Sequence, residues 1–167
     1  MLKRFRDREE GFTLIELMVV VLIIGILIAI AMPTFLGART RAQNKAAQAD
    51  LRNALVAAKT MYTDSSSYAS AVGTNSTGLV SVEPSLCYVA AGTDSVSSGA
   101  TCATGAGAAS LSVSASAAEW AAARMSASTT CFWIDDTAAS GTTYGSTTVA
   151  ANCDGTNALT AAALAFP

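Results

Sequence analysis

The chain has 167 residues, enough for one ordinary domain or for a small domain with an anchor. Charged residues make up 13%, the mean hydropathy is +0.42 and the net charge is −2, which gives no reason to expect a nucleic-acid partner, left unknown, and rules out disorder driven by charge. Histidine is absent, so Ser-His-Asp and Cys-His catalysis, imidazole bases and histidine-containing metal sites are excluded.

Residues 1–11 are short and charged, with Lys3, Arg4, Arg6 and Arg8 against Asp7, Glu9 and Glu10. There follows a stretch from Phe12 to Leu36 whose single charge is Glu16. As a helix it extends roughly 37 Å at 1.5 Å per residue, more than the roughly 30 Å of a bilayer's hydrocarbon core. The short leader is too small to be a translocated domain, so the N-terminus is read as cytoplasmic and the rest as exported. Glu16 near one end of such a span needs a partner, because a carboxylate in hydrocarbon is costly. A cut after Gly11 would place a new amine on Phe12, one helical turn from Glu16, in the same chain or in a neighbour. Glycine suits a backbone that must enter a protease cleft. A rival reading is the A-x-A sequence Ala29-Ile30-Ala31, where a secretory signal peptidase would cut. The helical pattern runs straight through that point, which counts against it.

Gly25 weakens this helix, and Pro33, lacking an N–H, leaves the Ala29 carbonyl without its usual partner, so a kink is expected there. Beyond it the period continues. Ala47, Leu51, Leu55, Ala58 and Tyr62 form an apolar stripe, and Arg41, Lys45, Gln48, Arg52 and Lys59 form a polar one. The pattern predicts one helix of about 50 residues from Phe12 to near Thr63. Its half 12–36 is apolar all round; its half 37–63 is amphipathic and requires a partner surface.

The remainder begins at a turn cluster, Asp64-Ser65-Ser66-Ser67. It holds seven acids and one base, Arg124, against a basic excess in the helix, so the two parts are complementary in charge within one molecule or between copies. Of residues 64–167, 66 are Ala, Ser, Thr or Gly. Residues 64–108 read as an irregular connecting loop. Strands are predicted at Ser110–Ser116, by alternation, and at Thr129–Ile134, by its Cys-Phe-Trp-Ile run. Glu119–Met125 is ambiguous between helix and strand because alanine favours helix. Thr142–Val149 is β-prone or loop. The fold class expected is α+β: a long N-terminal helix packed on a small antiparallel sheet of three or four strands, within 109–167.

All four cysteines, Cys87, Cys102, Cys131 and Cys153, lie in this part and read as two disulfides formed in an oxidising compartment. Three pairings are possible; Cys87–Cys102 with Cys131–Cys153 closes the shortest loops. A four-cysteine zinc site is the rival, but no C-x-x-C spacing exists. Asp135, Asp136 and Asp154 are candidates for calcium against the simpler reading of solvated loop acids. Asn75-Ser76-Thr77 is a glycosylation sequon. Phe12, Phe35 and Tyr62 along the helix read as packing rather than an electron path. No cofactor, metal or enzymatic site is expected.

Gly11-Phe12-Thr13-Leu14-Ile15-Glu16, preceded by the charged leader and followed by the apolar helix, resembles the class III signal of type IV pilins, most like the type IVa subclass. The resemblance covers about residues 5–63. It implies that a prepilin peptidase cuts after Gly11 and N-methylates Phe12. It implies that Glu16 sets subunit register in a filament, that the helix bends or melts near Gly25 and Pro33, and that the late cysteine pair closes a C-terminal disulfide loop. It further implies an inner-membrane precursor, the membrane itself as first partner, then polymerisation with copies of itself into an extracellular pilus with the help of inner-membrane assembly machinery and minor pilins. The same signal is shared by pseudopilins of type II secretion systems. A single-pass anchored domain that does not polymerise is the alternative of a different class.

Overall fold

In a computed structural model, the structure describes residues 11–73, 78–96, 100–102, 105–148 and 153–160. Helix α1 spans Leu14–Ser65, continuous through Gly25 and Pro33. Two compact units divide the chain, residues 1–39 and 40–167.

In the first unit every residue from Gly11 to Leu36 is exposed. By length and composition this helix can cross a membrane. Among the described residues of the unit, its apolar side chains have no counterpart.

In the second unit the amphipathic half of α1 packs on a five-stranded sheet. The strands are β1 (Cys87–Val89), β4 (Ser110–Ala115), β5 (Glu119–Met125), β6 (Cys131–Thr137) and β7 (Gly141–Thr147), in the order β1-β4-β5-β6-β7. The hairpin strands β2 (Ala100–Cys102) and β3 (Gly105–Ala108) pair with each other. A short α2 (Leu79–Val82) precedes β1, and α3 (Gly155–Thr160) follows the sheet. β4 to β7 form an antiparallel meander, whereas β1 runs parallel to β4, Cys87 opposite Ser110. The sheet is therefore mixed, with one strand more than expected. The extra strand comes from residues read as connecting loop: Leu86-Cys87-Tyr88-Val89 is too short for a periodic signal, yet Leu86, Cys87 and Tyr88 are all buried.

The predicted stripe is the buried one. Ala47, Leu51, Leu55 and Ala58 are buried, with Ala54 and Ala57 beside them, and Tyr62 packs at the edge. They meet Leu111 and Val113 of β4, Trp120 and Ala122 of β5, and Phe132 and Ile134 of β6, the alternate residues that the strand period of two puts on one face. The same period settles Glu119–Met125. As a strand it turns Trp120, Ala122 and Arg124 toward α1, and Ala121, Ala123 and Met125 to the opposite face. Alanine's preference for helix yields to these cross-strand contacts. Trp120 is fully buried and donates its Nε1–H to the Ala71 carbonyl at 3.1 Å, so its polar edge is satisfied.

The opposite face is covered by the segment around α3. Cys131 and Cys153 are joined with a Cα–Cα distance of 5.6 Å. Gly155 lies against the backbone of β4; a Cβ there would meet Ser114 N at 2.6 Å. Asp154 caps α3 by accepting from the Thr156 and Asn157 N–H groups at 2.8 and 3.0 Å. Cys87 is also disulfide-bonded; the side chain of Cys102, its expected partner, lies outside the described residues. So does the sequon at 75–77.

Candidate functional site

At the start of α1, Gly11 and Phe12 precede the helix and Thr13 is its N-cap. The Thr13 hydroxyl accepts from the Glu16 N–H at 3.3 Å, while Glu16 Oε2 accepts from the Thr13 N–H at 3.2 Å and from the Thr13 hydroxyl at 2.9 Å. This is the reciprocal capping box, S/T-x-x-E, and it was legible at 13–16 without any structure. The sequence reading gave Glu16 an amine to pair with and overlooked this second role. Both contacts to the carboxylate fall on Oε2. Among the described residues Oε1 accepts no hydrogen bond.

The cap also positions the neighbouring bond. It begins the helix at Leu14 and leaves Gly11 and Phe12 outside it, Phe12 85% exposed. A Cβ on Gly11 would meet nothing within 4 Å. Space inside this chain therefore does not require glycine at position 11. The bond Gly11–Phe12 is exposed, non-helical and adjacent to an exposed rod that is apolar apart from Glu16, Thr13 and Thr34.

The acids singled out for calcium do not converge. Among the described residues no group of three metal-ligating side chains lies together. Asp154 is the cap of α3. Asp135 and Asp136 are consecutive on β6 and so point to opposite faces. Asp136 faces α1, accepting from Tyr68 Oη, from Thr142 Oγ1 and from Lys59 Nζ at 2.9 Å. Burial works against its charge, but the hydrogen bonds from Thr142, Tyr68 and Lys59 and the charge of Lys59 prevail and hold its carboxyl below the usual range. The Tyr68 hydroxyl is pushed up, first by burial and then by its bond to Asp136. Asp135 is buried on the other face, where Oδ1 has no hydrogen-bond partner. Burial, then the charges of Glu119 and Asp136, raise it to about 6.

A second ion pair ties α1 to the sheet: Arg124, the one base of residues 64–167, meets Asp50. At the β5–β6 turn, Asn44 of α1 accepts from the Ser126 hydroxyl at 2.7 Å and from Ser128. Between that turn and α1 opens a groove of about 580 Å³. Arg41, Lys45 and Arg52 stand on its helical side, and Leu51, Phe132 and Tyr144 contribute apolar surface. Sequence reasoning placed the three cations on one stripe and had no means of placing the strands beside them.

Residues 6–32 match the model of the prokaryotic N-terminal methylation motif. The chain is 45% identical over 65 residues to the type IV major pilin protein PilA of Myxococcus xanthus, which is 39% of this chain and 30% of that protein. It is 42% identical over 55 residues, 31% of this chain and 38% of the relative, to the type II secretion system core protein G of Escherichia coli. It is 43% identical over 61 residues, 36% of this chain and 47% of the relative, to the type IV wide pilus major component PilA4 of Thermus thermophilus. The chain thus spans less than half the length of these relatives. No solved structure matches it. Over its N-terminal segment, then, the chain is similar both to type IV pilins and to a type II secretion core protein, and residues 6–32 carry the prokaryotic N-terminal methylation motif at the head of an exposed apolar helix.

Proposed function

We propose that the chain is the structural subunit of a type IV pilus. A prepilin peptidase cuts the precursor between Gly11 and Phe12 and methylates the new amine of Phe12. The apolar half of α1 holds the subunit in the inner membrane until assembly, and there leaves lipid for the interior of a filament made of copies of this chain. The assembled fibre is extracellular, and the machinery of the inner membrane and minor pilins are its partners in assembly. The observation that carries this reading is the apolar half of α1, exposed along its whole length and headed by the processing motif. A helix of that kind must be covered by lipid or by other helices. Glu16 gives the helix bundle its register: apolar packing is non-directional, while a misplaced buried carboxylate costs several kcal/mol. Oε1 of Glu16 is the oxygen that takes a neighbour's Phe12 amine, with Oε2 kept in the cap. Gly25 and Pro33 are where the helix yields during packing.

The similarity to type II secretion core protein G supports a second reading, a pseudopilin in a short periplasmic filament. Shearing cells, pelleting the medium and identifying the chain in fibres decides between the two, and mass spectrometry of its N-terminus tests processing. The pilus reading expects abundant fibres whose subunit starts at methylated Phe12. Absence of fibres from sheared medium with the mature chain retained in the cell envelope favours the pseudopilin.

A further inference from the structure

The two ends of the second unit carry opposite charge. Arg41, Lys45 and Arg52 line the groove beside the β5–β6 turn and are exposed. Among the described residues none of them forms an ion pair; Lys45 Nζ reaches only Gln48 Oε1 at 3.4 Å. The next cation along α1, Lys59, is taken by Asp136, and the nearby carboxylate of Asp50 is taken by Arg124. The charges that could have neutralised the groove are thus engaged elsewhere.

At the other end of the unit lie two acids with no cation beside them among the described residues. Asp64 is exposed in the last turn of α1. Glu119 is half-buried at the start of β5, next to the β4–β5 turn, where the Tyr68 N–H bonds the Ala117 carbonyl at 3.1 Å. Lys45 and Asp64 sit on one continuous helix, 19 residues apart and so about 28 Å from each other. They cannot meet within a molecule.

We propose that the groove receives the acidic end of a second copy of this chain, so that Asp64 of one subunit faces Arg41, Lys45 and Arg52 of the next, with Glu119 adding negative charge at the same end from the other face of the sheet. This rests on the filament reading for its setting. Groove against groove would oppose cation to cation, so the groove of one subunit takes the acidic end of another. In a filament, whose subunits all point the same way, that contact runs head to tail, the type of interface that propagates as an open polymer. The apolar floor, Leu51 and Phe132, gives the docked end a surface to desolvate the pairs against.

The test uses the full chain as the sole pilin of an assembly-competent host, in four forms: wild type, R41E/R52E, D64K/E119K, and all four changes together. Fibres are recovered by shearing and counted by electron microscopy, and the membrane pool of each form is measured. Membranes and fibres are also treated with a zero-length carbodiimide, which joins a lysine amine to a carboxylate in direct contact, and the products are mapped. The proposal expects each double variant to lose fibres at least tenfold at an unchanged membrane pool. It expects the quadruple variant, whose poles are both reversed, to regain at least half of the wild-type yield, and wild type to give a Lys45–Asp64 cross-link. Normal fibres from both double variants, without that cross-link, overturn it and leave the filament reading standing. The cross-link without fibres removes the filament and keeps the contact. Neither fibres nor cross-link overturns both. A cross-link from Lys45 to another protein's carboxylate, with no Lys45–Asp64 product, assigns the groove to that partner and overturns the proposal. Loss in both double variants with no rescue in the quadruple one also overturns it, because unpaired damage then explains the losses.

Discussion

Asp135 and Asp136 are adjacent in sequence and opposite in their dependence on pH. Asp135 titrates at about 6 in the folded chain against 3.8 as the ordinary value. The folded state therefore binds the proton more readily than the unfolded state, so the stability this group contributes is present at acid pH and is lost as pH rises from about 4 to about 6. At 1.36 kcal/mol per pH unit the loss is about 3 kcal/mol, an upper figure because partial opening of the site to water reduces it. Asp135→Asn removes the titration and supplies an amide that can donate to the Thr143 hydroxyl, whose oxygen is buried without a partner on the neighbouring strand. The expected result is a gain of 1 to about 3 kcal/mol over wild type at pH 7.5 and little change at pH 4.5. Asp136 has the opposite sign. Its carboxyl is held low, so the stability it contributes is present above the ordinary carboxylate value and is lost as pH falls through its folded value. Asp136→Asn should destabilise at pH 7.5, because Lys59 and Tyr68 lose the charge they bond. Denaturant unfolding of the full chain in detergent, followed by near-ultraviolet circular dichroism from buried Trp120 and Trp133, measures both. Equal destabilisation by Asp135→Asn at the two pH values would refute the reasoning, since it would mean that the carboxylate is bonded rather than merely buried.

Replacing Cys131 and Cys153 together by serine opens a loop of 22 residues and should lower stability by about 3 kcal/mol, read as a shift in the denaturant midpoint against oxidised wild type under non-reducing conditions. Gly145→Ala should cost more than about 2 kcal/mol, because a Cβ there would lie 1.9 Å from the Trp133 ring on the paired strand; Gly141→Ala, with open space but a φ of 82°, should cost about 1 kcal/mol, and the ranking is checked by the same unfolding curves. Glu16→Ala should still enter the membrane and be cut after Gly11, yet give few or no fibres without wild-type subunit; ordinary fibres in wild-type amounts, counted after shearing, would remove its register role. Thr13→Val separates the cap from the charge: it loses the hydroxyl half of the capping box but keeps the carboxylate, so fibre yield should fall far less than in Glu16→Ala.

The long helix was legible because its signals are local. The period of Ala47, Leu51, Leu55 and Ala58 names the buried face before any partner is known, and the motif at 11–16 names its start. The Cys131–Ile134 strand announced itself by bulk and β-propensity. What escaped depended on contacts between distant residues. Glu119–Met125 is alanine-rich, and only its pairing with β4 and β6 overrides the helical preference. Cys87–Val89 is three residues long and becomes a strand because β4 offers it an edge across 20 residues of chain. The split of Asp135 from Asp136 could have been read, since a confident strand ending at 134 puts the next two residues on alternate faces. The groove could not: its cations are visible as a stripe, but which strands run beside them is set by the register of α1 on the sheet, and no local pattern carries that.

The order of the strands also dictates the sequence of events in folding. β4 to β7 are consecutive antiparallel neighbours, so their pairing closes short loops and is fast, whereas β1 must cross to the far side of β4 before it can pair in parallel. Cys131 lies inside the meander, and Cys153 lies beyond it on the segment that packs across the face formed by β4 to β6. Their sulfurs meet only when that face exists. The bond thus acts as a latch that closes late, and oxidant acting on the chain before the meander has formed would favour mispaired cysteines over the native link.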